Sequence, residues 1–187
     1  MSSVDISIKP AIFGFVAYSG TGKTTLIEKL ITYLTENGYN ISVIKHTHHR
    51  FDVDRPGKDS YRHREAGAGE VLLVSDQRWV LMHEQAAIQE MSIEDQLSKL
   101  APCDLVFLEG FKASPIPKIE LWRADHEEAA NNPLKADIDP YILAVAYPGG
   151  VRATKKPVFN KQLPILNLDD LEEVANFILA TSGIQKK

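Results

Sequence analysis

The sequence predicts an α/β fold: a mainly parallel sheet flanked by helices, with an antiparallel hairpin at one edge. Three observations carry that expectation. Short apolar runs bounded by turn residues alternate with segments of helical period along the 187 residues. The first run leads through a glycine-rich turn straight into a helical repeat. Two later runs, Val71–Val74 and Trp79–His83, are joined through Ser75-Asp76-Gln77, a connection too short for anything but an antiparallel pair.

Taken in order, Ala11–Tyr18 is apolar throughout, as a strand buried on both faces should be. Leu26, Ile27, Leu30, Ile31 and Leu34 then recur at helical spacing, and Asn37-Gly38 ends that helix. Ile41–Lys45 reads as a strand, residues 47–57 as a mobile loop, and Asp59–Ala66 as a helix. Ser92 can cap a helix reaching about Leu100. Leu105–Leu108 and Ile119–Trp122 are further strands, and Asp125–Asp139 reads as a polar, mobile stretch. Tyr141–Tyr147 and Pro164–Leu168 complete the strands. Asp169 with Glu172 makes a capping-box pattern for a last helix, Leu171–Thr181. The whole, 1–187, reads as one domain.

Composition narrows the function. Hydrophobic residues make up 44% and charged residues 25%, the balance of an ordinary globular chain. No window approaches the 18 apolar residues of a membrane span, and the first ten residues lack a signal-peptide pattern. Cys103 is the single cysteine and has no internal partner, which fits a reducing, cytoplasmic setting. A net charge of −4 argues against a nucleic-acid polymer as ligand. Residues 45–64 nevertheless hold six basic side chains against three acidic ones, a density suited to a compact anion or to a solvated loop.

The chemistry concentrates in Ala17-Tyr-Ser-Gly-Thr-Gly-Lys-Thr24, the G-x-x-x-x-G-K-[ST] pattern with alanine at its first position. Gly20 and Gly22 allow a tight turn whose N–H groups converge on phosphates at a helix start. Ser19 and Thr21 lie within that turn, Lys23 neutralises the terminal phosphates, and the Thr24 hydroxyl can ligate Mg²⁺, with Thr25 adding a hydroxyl. A fold of the P-loop nucleoside-triphosphate type follows. Such a site needs a second acid at the end of a neighbouring buried strand. Glu109, closing the run Leu105–Leu108, fits that catalytic and Mg²⁺-binding position, whereas Asp104 lies at the strand's other end. His46-Thr-His48-His49-Arg50-Phe-Asp52-Val-Asp54 leaves the second strand. Its histidines and carboxylates can serve the nucleotide site through His46, Asp52 and Asp54, bind a transition metal, or form a polar loop.

These motifs in this order, A-Y-S-G-T-G-K-T-T-L, I-K-H-T-H-H, D-x-D-x-P-G-K-D-S-Y, Q-R-W-x-L-M and V-F-L-E-G-F-K, resemble the MobB family from about residue 11 to 123 and more loosely beyond. MobB proteins are adaptors of molybdopterin-guanine dinucleotide biosynthesis. The resemblance implies a homodimer that binds GTP and Mg²⁺ and hydrolyses GTP weakly. It would assist the guanylyltransferase that joins GMP to molybdopterin, with the molybdopterin cofactor as a further partner. Carried over by position, the nucleotide loop falls on Ser19–Thr25 and the second acid on Glu109. No N-K-x-D guanine-reading tetrapeptide occurs, so the preference for GTP rests on the resemblance. Two other classes remain open from sequence: a small-molecule kinase with Arg50, Arg55 and Arg62 as lid cations, and a metal-delivery GTPase using the histidines.

Overall fold

The computed structural model describes residues 9–47, 51–87 and 89–185, with the backbone alone at Ala130. In chain order the elements are β1 (Ala11–Val16), α1 (Lys23–Glu36), β2 (Ile41–Lys45), α2 (Asp59–Glu65), β3 (Glu70–Val74), β4 (Trp79–His83) and α3 (Ile93–Leu97). They continue with β5 (Leu105–Glu109), β6 (Lys118–Leu121), α4 (Glu127–Asn131), β7 (Ile142–Tyr147), β8 (Ile165–Asn167) and α5 (Leu171–Thr181). Two compact units result: Met1–His46 with Leu100–Lys187, and Thr47–Lys99.

The first unit is built on a six-stranded sheet of order β2-β5-β1-β6-β7-β8. Every pairing in it is parallel. The expected α/β architecture is therefore present, and β1 lies inside the sheet between β5 and β6. Register aligns the carboxyl ends that matter: Phe15 is opposite Glu109, and Lys45 is opposite Glu109 from the other side. In an open parallel sheet, ligands bind outside those ends.

The amphipathic stripe foreseen for α1 is real. Leu26, Ile27, Leu30 and Leu34 are buried against Phe13, Phe15 and Phe107 of the sheet and against Val174, Ala175 and Ile178 of α5. At its end, Gly38 takes a left-handed φ of 82°, and the Tyr39 N–H reaches back to the Leu34 carbonyl at 3.0 Å. The second cluster joins Val16 of β1 to Val145 and Tyr147 of β7, together with Trp122, Ala129, Leu134 and Ala136.

That cluster corrects one expectation. The 125–139 stretch read as polar and mobile holds α4 and a 3-10 turn, Lys135–Asp137, and buries three apolar side chains. Glu120, itself buried, explains the turn. Its two carboxylate oxygens accept the Lys135 and Ala136 N–H groups at 3.0 and 2.7 Å. Burial raises its proton affinity, and those two hydrogen bonds oppose the rise. Lys118, two residues earlier on the same strand, is equally buried and pairs with Asp139 at 2.7 Å. The last helix is capped one residue later than the sequence pattern indicates. Asp170 accepts the Glu173 N–H at 3.0 Å, while Asp169 accepts from Gly149.

In the second unit β3 and β4 form their own two-stranded antiparallel sheet rather than an edge of the main one. Hairpin pairing is a local property, while membership of a sheet depends on distant strands. Ser75 stabilises its turn by accepting the Arg78 N–H at 3.1 Å. Ser92 caps α3 as expected, accepting from Asp95 at 3.0 Å, but the helix ends at Leu97.

Arg64 of α2 organises this unit. Its guanidinium donates to Asp54 at 2.6 and 3.2 Å, to Asp52 at 3.0 Å and to Glu84 at 2.9 Å. The hydrogen bonds from Arg64 hold the Asp54 carboxyl below the usual aspartate range. Its stabilising contribution is then complete above the unfolded aspartate value of about 3.9 and is lost as pH falls through the lower folded value. Chemical denaturation monitored on the second unit should show wild type weakening below about pH 4. Asp54→Asn should start weaker at neutral pH and lose less on acidification. Parallel acid limbs in the two proteins would contradict the pairing.

Candidate functional site

The Ala17–Thr24 segment leaves β1 as a tight turn and enters α1 at Lys23. Gly20 and Gly22 have φ of 81° and 93°, in the left-handed region that glycine enters freely. Gly22 stands at the N-cap position with no side chain to satisfy the first amides of α1, which stay directed at the sheet's carboxyl end. Ser19, Gly20, Thr24 and Thr25 are exposed at this mouth, while Thr21 is fully buried beneath it.

Glu109 meets this turn from the adjacent strand. The Thr24 hydroxyl donates to its Oε1 at 3.0 Å. Lys23 Nζ lies 4.0 Å from the same oxygen, and Lys45 Nζ lies 3.7 Å from Oε2. A carboxylate, a hydroxyl and an ammonium thus converge where the sequence places a Mg²⁺-assisted phosphate site. Burial lowers the proton affinity of Lys23, Glu109 opposes that, and the cations Lys112, Lys45 and Lys135 add to the lowering. A group with that field around it favours a bound anion.

His46 joins the site through backbone. Its N–H donates to the Glu109 carbonyl at 2.8 Å, and its ring lies 5.6 Å from that of Phe111. Gly110 makes the junction possible: its φ is 98°, and an added Cβ would lie 2.5 Å from the His46 carbonyl oxygen. Gly110→Ala should therefore destabilise the chain by about 1–3 kcal/mol from backbone strain alone, with the steric overlap adding to it. Urea denaturation reads this directly; an unchanged midpoint would rule out the close approach.

Of the other residues singled out, Asp52 and Asp54 lie in the second unit and are engaged with Arg64. His48, His49 and Arg50 fall outside the described residues. Among the described residues no cluster of three histidine, cysteine or carboxylate side chains is arranged to hold a metal ion. The sequence reading also missed residues. Arg123 Nε donates to the Thr21 carbonyl at 2.9 Å, and His126 Nε2 comes within 3.0 Å of the position a Cβ on Gly20 would take. Lys135 Nζ stands 5.8 Å above the centre of the Tyr18 ring.

This arrangement can be set beside known proteins. The family model described as Molybdopterin guanine dinucleotide synthesis protein B matches residues 12–147. The chain belongs to the MobB family. It is 40% identical over 170 residues to the Molybdopterin-guanine dinucleotide biosynthesis adapter protein of Escherichia coli, covering 90% of this chain and 91% of that one. The adapter protein of Haemophilus influenzae is 41% identical over 169 residues, covering 89% and 86%. The crystal structure of Bacillus subtilis MobB superposes with a TM-score of 0.68 at 24% identity, covering 95% of this chain and 99% of that one. That likeness shows a shared fold. The MobB match includes the glycine turn, His46, Glu109, Arg123 and His126, so every residue placed at the mouth of the sheet lies within the family segment.

Proposed function

We propose that the chain is a GTP-binding adaptor of molybdopterin-guanine dinucleotide biosynthesis, assisting the guanylyltransferase that attaches GMP to molybdopterin, with weak GTP hydrolysis of its own. The observation that carries the nucleotide part is the convergence of Lys23, Thr24 and Glu109 at the start of α1. In this reading the Ser19–Thr25 backbone and side chains cradle the phosphates, and Thr24 with Glu109 holds Mg²⁺. The residues present fit that ion: a hydroxyl and a carboxylate 3.0 Å apart are the hard oxygen donors Mg²⁺ takes, beside phosphate oxygens and water. Mg²⁺ supplies charge neutralisation across the terminal phosphates. Lys23 orients those phosphates, and Glu109 can align an attacking water.

Family membership supports the pathway assignment and a cytoplasmic setting. No described helix is long and apolar enough to cross a membrane. The hairpin of the second unit supports a homodimer, since Val74 and Trp79 are 70% and 67% exposed on adjoining strands. Weak hydrolysis fits the pairing of two arginines of the 47–64 segment, Arg62 and Arg64, with acids of their own unit. Arg64 is committed to three carboxylates, and Arg62 lies 4.0 Å from Asp59.

The test is capture of the guanylyltransferase from cytosol by the tagged chain, with and without GTP. Retention of that enzyme, stronger with GTP and lost with Lys23→Ala, is the expected result. Equal recovery of the enzyme by the tagged chain and by an unrelated bait would reject the adaptor reading.

A further inference from the structure

The connection from β6 to α4 brings two side chains onto the glycine turn that no phosphate-loop pattern contains. Trp122 anchors the connection. It is buried, its backbone N–H bonds the Ala146 carbonyl at 2.9 Å, and its indole N–H bonds the Ala129 carbonyl at 2.8 Å. Arg123 and His126 lie between those fixed points. Arg123 spends Nε on the Thr21 carbonyl, and Nη2 lies 3.7 Å from where a Cβ on Gly22 would be. No other side-chain hydrogen bond of Arg123 occurs among the described residues. His126 Nδ1 accepts the Ala129 N–H at 3.3 Å as the cap of α4, so in the neutral ring the hydrogen sits on Nε2, the atom facing Gly20. The Thr21 hydroxyl beneath them is buried and has no partner among the described residues.

We propose that this connection is a second wall of the phosphate site. In it Arg123 is a positioning residue that pulls the Thr21 carbonyl outward, turns the neighbouring amides toward the ligand, and presents its remaining N–H fork to a diphosphate group. The inference rests on the nucleotide reading of the site and deepens it. Backbone amides of such a turn cradle the first two phosphates, whereas the loop lysine reaches the second and third. Arg123 stands over Thr21 and Gly22, and its ligand is therefore the diphosphate portion shared by GTP and GDP. His126 Nε2–H is a further donor to the same group from the Gly20 side. A lysine at position 123 keeps charge and reach but has no planar fork to hold a carbonyl and a phosphate together.

Isothermal titration with GTP and with GDP, each with Mg²⁺, tests the assignment in Arg123→Ala, Arg123→Lys and Lys23→Ala. Arg123→Ala should weaken GTP and GDP alike by at least tenfold, while thermal unfolding of the nucleotide-free protein stays near wild type. Arg123→Lys should fail to restore binding, and it carries the test if the alanine variant does not fold. Wild-type affinity in Arg123→Ala alongside a loss in Lys23→Ala overturns the second wall and leaves the site standing. A loss confined to GTP, or full rescue by lysine, also overturns it. Wild-type affinity in both Arg123→Ala and Lys23→Ala overturns the phosphate site itself.

Discussion

Lys23→Ala is expected to raise the dissociation constant for Mg·GTP by about 10–150-fold, with the protein still folded. The magnitude comes from a hydrogen bond to a charged group, about 1.5–3 kcal/mol. Lys23 suits that role because its charge is poorly accommodated in the free protein: burial lowers its proton affinity, and three neighbouring lysines oppose its charge against Glu109 alone. A phosphate chain reverses that balance, so the ammonium interacts better with ligand than with its own protein. Thr24→Ala should act in the same direction through the hydroxyl that now bonds Glu109.

The sign of the pH effect follows. Because the folded Lys23 holds its proton less tightly than an unfolded lysine, the unfolded chain binds more protons between the lowered value and about 10.4. The nucleotide-free protein should gain stability from this group as pH rises through that alkaline window, and Lys23→Ala should remove the gain. Nucleotide binding should take up protons there and weaken above it. Calorimetric titration at two alkaline pH values in buffers of different ionisation enthalpy checks the uptake; proton release on binding would contradict the geometry.

What could be read from the sequence was local. The glycine turn, Lys23 and Thr24 are contiguous, and the apolar positions of α1 lie within a dozen residues of one another, so spacing alone places them. Glu109 was legible because a wholly buried strand ends on it. Arg123 and His126 gave no such sign. His126 lies in, and Arg123 just before, a polar stretch whose buried apolar members, Ala129, Leu134 and Ala136, are too widely spaced for any period, and its order depends on the distant Glu120 and Lys118. Two charged residues alternating along a strand ordinarily mark a solvent face. Here both are buried because each finds a partner, Glu120 in backbone amides and Lys118 in Asp139, and sequence spacing does not record partners. The hairpin shows the same boundary: its antiparallel pairing was legible, its separation from the main sheet was not.

Glu109→Gln is expected to abolish most of the Mg²⁺ enhancement of GTP binding while leaving Mg²⁺-free binding nearly intact. The carboxylate is buried at the carboxyl end of β5, with Oε1 taken by the Thr24 hydroxyl and Oε2 facing Lys45 at 3.7 Å. A divalent ion bound through Thr24 would sit against Oε1 or a water held by it, and the amide offers that ion a dipole where the acid offers a full charge. Glutamine keeps the size and an acceptor for Thr24, so the turn should persist. Without Mg²⁺ the outcome differs in sign from a general loss. Neutralising Glu109 removes the anion that now opposes incoming phosphates and frees Lys23 from its nearest countercharge. Mg²⁺-free GTP should therefore bind at least as well as to wild type, and the ratio of affinities with and without Mg²⁺ should collapse toward one. Titrations with Mg²⁺ and with chelator, run on both proteins, decide it. Equal losses in the two conditions would move Glu109 away from the ion and make it a support of the loop.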